Sequence, residues 1–174
     1  MRTRALAAAI SFWLIALFAP AIAADKTSAR PYVVMYGGLG DVVGFGVRPL
    51  AEKVRRQCGA EVVVNGGGSL PRGRPLVFVG HSKGAADAIE RARAIAPRKV
   101  ALVLTLDPCS KFCGELSRPA NVKRLVNYRQ TTQFLGGARV AGASASHTIQ
   151  ANHIVFARDP RVMRLAAAEI CRAR

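Results

Sequence analysis

Acidic residues are scarce in this 174-residue chain: 10 Asp and Glu stand against 26 Lys and Arg, a formal net charge of +16. Any carboxylate chemistry must draw on Asp25, Asp41, Glu52, Glu61, Asp87, Glu90, Asp107, Glu115, Asp159 and Glu169. Charged residues make up only 21% and hydrophobic ones 51%, which excludes a highly charged disordered protein. Sixteen Gly and nine Pro are too few for a low-complexity chain, and no internal repeat is visible. After the N-terminus, no apolar stretch reaches the ~18 residues of a membrane-spanning helix. Four Cys and three His without metal-ligand spacing argue against zinc. Neither a metal nor an organic cofactor is expected.

The N-terminus carries a targeting pattern. Met1-Arg2-Thr3-Arg4 is positive, Ala5 to Ala19 is an apolar run of 15 residues, and Pro20-Ala21-Ile22-Ala23 places small residues where a signal peptidase reads. The expectation is a signal peptide over residues 1–23, a single domain over 24–174, and an exported protein, periplasmic or secreted. Losing Arg2 and Arg4 lowers the charge only from +16 to +14, so the basicity belongs to the remaining 151 residues. Export turns that charge away from nucleic acid and toward anionic lipid head groups, anionic polymers or acidic substrates. A merely solvated basic surface is the plainer alternative.

Export also bears on the cysteines. An even count in an oxidising compartment suggests disulfides, with three connectivities open. Cys109 and Cys113 share one short loop, and Cys58 and Cys171 each end a predicted helix. The favoured pairing is 58–171 and 109–113.

Apolar strands alternate with amphipathic helices. Pro31 to Met35, Glu61 to Val64, Pro75 to Val79, Val100 to Leu106 and Val122 to Tyr128 read as strands. Helices are predicted from about Phe45 to Cys58, Lys83 to Ala96, and Asp159-Pro160 to Ala173. A Gly- and Ser-rich loop is expected from Gly136 to Ser146. Strands that are apolar throughout belong to a parallel sheet covered on both faces. The fold class is therefore α/β, a three-layer α/β/α sandwich with five to six mainly parallel strands.

Gly80-His81-Ser82-Lys83-Gly84 lies where the third strand meets its helix. A nucleophile on a sharp strand-to-helix turn needs neighbours without bulk two residues before and after it. Ser82 needs a base, and the base an orienting acid. Asp107 ends the fourth strand; Asp87 and Glu90 point away on the helix, Glu115 is in a loop, and Asp159 reads as a helix cap. His81 is adjacent to Ser82 and cannot serve as its base. His153, just before the last helix, is the preferred base and His147 the alternative. Oxyanion donors are expected from the backbone of Lys83 and of Gly38 or Leu39 in the glycine-rich loop after the first strand. That loop fits a dinucleotide turn poorly: the third glycine is one residue late, and the next strand ends without an acid.

With Gly80 to Gly84 after Val77-Phe78-Val79, Leu106-Asp107-Pro108 and Asn152-His153-Ile154, the chain resembles the α/β-hydrolase superfamily, in particular small exported bacterial lipase-, esterase- and thioesterase-like proteins. Gly38-Leu39, Arg48-Pro49-Leu50-Ala51 and Asn127-Tyr128-Arg129-Gln130 carry the resemblance further. It implies Ser82 as nucleophile, His153 as general base and Asp107 as its orienter, acting on a small acyl ester or thioester. The departures are a minimal sheet lacking the usual first two strands, an acid one strand earlier than usual, no lid domain, and the large cation Lys83 beside the nucleophile. The competing reading is an inactive hydrolase-fold protein that binds anionic envelope polymers or lipids.

Overall fold

Strands become apolar throughout only when both sheet faces are covered, and that is the arrangement adopted here. The computed structural model describes residues 30–39, 46–111, 113–132 and 135–173; the expected signal peptide lies outside them. In chain order the elements are β1 (Tyr32–Tyr36), α1 (Arg48–Cys58), β2 (Glu61–Val64), β3 (Leu76–His81), α2 (Lys83–Ala94), β4 (Val100–Leu106), β5 (Leu116–Ser117), β6 (Val122–Gln130), β7 (Val140–Ala141) and β8 (Ala145–Ile149). A 3-10 turn (Phe156–Arg158) and α3 (Pro160–Cys171) complete the chain.

Six strands pair in parallel in the order β2-β1-β3-β4-β6-β8, and β5 pairs with β7 outside that sheet. The register builds apolar rows across it. Val34, Phe78, Val103 and Leu125 align on the α2 face. Met35, Val79, Leu104 and Val126 align on the opposite face, under α1 and α3. Each helix contributes an apolar stripe at spacings of three and four: Leu50, Ala51 and Val54 from α1, Ala85, Ala88, Ile89 and Ala92 from α2, and Val162, Ala166, Ala167 and Ile170 from α3. Asp159 caps α3, its side chain accepting from the backbone N–H groups of Arg161 and Val162.

Disulfides join Cys58 to Cys171 and Cys109 to Cys113. The first ties the C-terminal ends of α1 and α3 across 113 residues of sequence.

The span from Gly136 to Ser146 is more ordered than its composition predicts. It contains β7 and the start of β8, the edge strand of the main sheet. Among the described residues, no helix is long and apolar enough to cross a membrane.

From β1 the chain steps outward to β2 and then returns to the other side of β1 to lay down β3. This reversal is a topological switch point, where a crevice opens at the carboxyl ends of the strands. The loop after β1 and the turn after β3 meet there.

Candidate active site

Ser82 occupies the turn between β3 and α2 with φ 56° and ψ −123°, a conformation strained for any residue with a side chain. Close packing enforces the turn. A Cβ on Gly80 would collide with the Gly84 carbonyl, and one on Gly84 with the Tyr36 carbonyl. The Ser82 N–H donates to the Leu106 carbonyl at 3.0 Å, pinning the turn to the end of β4.

That neighbouring strand end carries Asp107, fully buried. A buried carboxylate needs its acceptor capacity filled. Oδ1 accepts from the backbone N–H groups of Gln130 at 2.9 Å and Gly137 at 2.7 Å. Oδ2 meets His153 Nδ1 at 2.7 Å. Since the ionised carboxylate can only accept, Nδ1 carries the imidazole proton and Nε2 is left as an acceptor. His153 Nε2 lies 3.0 Å from Ser82 Oγ. Ser82, His153 and Asp107, the three residues singled out in the sequence, thus form one continuous hydrogen-bonded chain.

The loop bearing His153 is held from two sides. Buried His81 donates from Nε2 to the His153 backbone carbonyl at 2.9 Å. Phe156, fully buried at the 3-10 turn, anchors the other end, and its N–H reaches the same carbonyl at 3.3 Å. His147 does not join the site. It lies on β8, paired in register with Tyr128 and stacked on that ring at a centroid distance of 5.1 Å.

The expected oxyanion donors flank Ser82. Lys83 is the first helical residue of α2, so its N–H has no acceptor within the helix. A Cβ on Gly38 would lie 2.8 Å from Ser82 Cβ and 3.3 Å from Oγ, which puts the 38–39 backbone directly beside the hydroxyl. The Lys83 ammonium is exposed and pairs with Asp87 at 2.7 Å.

A cavity of about 260 Å³ opens over Ser82, lined by Leu39, Lys83, Cys109, Leu135, Ile154 and the two histidines His81 and His153. Its walls are mostly apolar, and Cys109 brings the 109–113 disulfide into them.

Sequence reasoning missed three supports. His81 was excluded as a base, but its hold on the His153 carbonyl spans 72 positions and leaves no local signal. Gly136 packs so closely over the acid–base pair that a Cβ there would strike Asp107 Oδ2 and His153 Nδ1. Asn127 accepts from Thr105 Oγ1 at 2.9 Å and donates to the Ala138 carbonyl at 3.1 Å, fixing the segment that supplies the Gly137 N–H. An asparagine placed between the apolar pair Leu125-Val126 and Tyr128 was the available clue.

Among the described residues, no group of His, Cys, Asp and Glu could hold a metal ion. No protein-family model matches the chain, and no curated protein matches it. Among solved structures, it is similar to a Xanthomonas campestris pv. campestris protein provisionally described as a hydrolase of the alpha/beta superfamily. The TM-score is 0.53 and the identity 16%, over 82% of this chain and 96% of that one. The likeness is one of fold: the sheet and its helices have the α/β-hydrolase architecture.

Proposed function

We propose that the protein is a serine hydrolase cleaving a carboxylic ester or thioester through an acyl-enzyme. The observation that carries this reading is the Ser82–His153–Asp107 hydrogen-bonded chain at the mouth of an apolar cavity. Ser82 Oγ attacks the acyl carbonyl as its proton passes to His153 Nε2. Asp107 stabilises the resulting imidazolium and keeps the ring oriented. The oxyanion is met by the backbone N–H groups of Lys83 and the 38–39 segment. Collapse breaks the bond to the alcohol or thiol, which leaves with the proton from His153. Water then attacks the acyl-serine as His153 accepts its proton; collapse breaks the acyl–Oγ bond, His153 returns the proton to Ser82, and the carboxylic acid departs.

Leu39, Leu135 and Ile154 give the acyl group an apolar seat, and the modest cavity volume favours short chains. Export to the periplasm or beyond, and attraction of the basic surface to anionic membranes, are part of the same proposal. The test is turnover of 4-nitrophenyl acetate, butyrate and octanoate, and of a butyryl thioester. Wild type should hydrolyse the shorter substrates, and Ser82→Ala should lose on the order of 10⁴-fold. Equal rates for the two proteins, or none above buffer, would contradict the proposal.

A further inference from the structure

A second cavity, of about 420 Å³, is lined by Arg129, Arg139, Val140, Gly142, Ala143 and Ser146. It shares no residue with the cavity over Ser82. Its two arginines differ from six others in the fold. Arg55, Arg74, Arg93, Arg124, Arg161 and Arg172 each pair with a carboxylate. No carboxylate lines this cavity. Neither Arg129 nor Arg139 makes a side-chain hydrogen bond or ion pair among the described residues. The Arg129 Nε is moreover buried without an acceptor, a state a folded protein rarely leaves uncompensated.

We propose that this cavity binds a tetrahedral oxyanion of the phosphate class. Two guanidinium groups supply planar forks suited to phosphate oxygens, and the Ser146 hydroxyl adds a third donor from β8. Donors from three different segments suit a tetrahedral anion better than a flat carboxylate.

The placement links the anion to the buried acid. Arg129 directly precedes Gln130, and Arg139 follows Gly137 by two residues; Gln130 and Gly137 give Asp107 Oδ1 its two N–H donors. An oxyanion bridging the arginines fastens together the two segments that hold that carboxylate.

The anion could be free phosphate or a phospholipid headgroup. Calorimetric titration with sodium phosphate, at ionic strength matched with sodium chloride, tests the first. Cosedimentation with phosphatidylglycerol–phosphatidylcholine vesicles, against phosphatidylcholine alone, tests the second. Wild type and a Lys53→Gln control should bind one probe saturably, and Arg129→Gln and Arg139→Gln should each weaken that binding about tenfold or more. Binding of phosphate identifies a free anion; binding of the anionic vesicles alone identifies a headgroup. Arg139→Lys, which keeps the charge and loses the fork, should also bind more weakly and serves if a glutamine variant fails to fold. Failure of both probes to bind, or variants that bind like wild type, would overturn the proposal.

Discussion

His81 Nε2 donates to the backbone carbonyl of His153 across 2.9 Å, so the residue preceding the nucleophile holds the loop that carries the base. Replacing it with alanine frees that loop while sparing every atom of the triad. His81→Ala should lower kcat about 10- to 100-fold with little change in KM, because a small misplacement of a base is costly. His81→Gln, which can donate from its amide, should recover part of the loss. Steady-state kinetics on a short ester decides it; unchanged kcat in His81→Ala would show the contact to be incidental.

Gly136 covers the hydrogen bond between Asp107 and His153 so closely that no methyl group fits. Gly136→Ala should push the two side chains apart and lower kcat/KM by about 100-fold. Circular dichroism should show the fold retained, since the segment lies outside the helices and the main sheet. Wild-type kinetics in this variant would refute the packing argument.

Ser82 is held at φ 56° and ψ −123°, where a side chain costs about 1–3 kcal/mol. Both Ser82→Ala and Ser82→Gly should be inactive, but the glycine variant should be the more stable of the two by roughly 1 kcal/mol. Urea unfolding of the pair measures this; an alanine variant as stable as the glycine variant would mean that the turn is unstrained.

The capping carboxylate Asp159 has opposing influences on its titration. Burial pushes its pKa up, but hydrogen bonds from the Arg161 side chain and from the Arg161 and Val162 backbone, with the Arg161 charge, outweigh that and hold it below the ordinary value. A depressed folded-state value means stability that is full above the ordinary carboxylate range and is lost as pH falls through the folded value. Asp159→Ala should therefore cost about 1 kcal/mol at neutral pH, with the difference from wild type shrinking below about pH 4. Thermal unfolding of both proteins across pH 2.5–7 checks it, and a pH-independent gap would contradict it.

The Cys58–Cys171 disulfide closes most of the described chain into one loop and joins two helices on the same face. Cys58→Ser with Cys171→Ser should cost about 2–4 kcal/mol, most of it through a less restricted unfolded chain. A denaturant midpoint matching wild type would show that α1 and α3 pack as firmly without the bond.

The central strands were legible because burial on both faces demands unbroken apolar runs: Val33, Val34 and Met35 leave no room for another reading. Edge strand β8 was not legible. Its residues are largely exposed, so Ala145 to Ile149 carry no apolar run, and its first two residues fell in the expected Gly136–Ser146 loop. His147 was therefore open as an alternative base, whereas strand pairing fixes it against Tyr128. Ser82 and Asp107 could be found because each sits at a strand end with a local signature. His81, Gly136 and Asn127 act on partners distant in sequence, and contacts of that kind leave no periodicity to read.

The most direct test of the account is covalent labelling of the intact protein with a fluorophosphonate, followed by peptide mapping. The account predicts a single adduct on Ser82 in the wild type, none in Ser82→Ala, and labelling slowed by orders of magnitude in His153→Ala. An unlabelled wild type, or equal labelling of Ser82→Ala, would contradict the claim that Ser82 is an activated nucleophile.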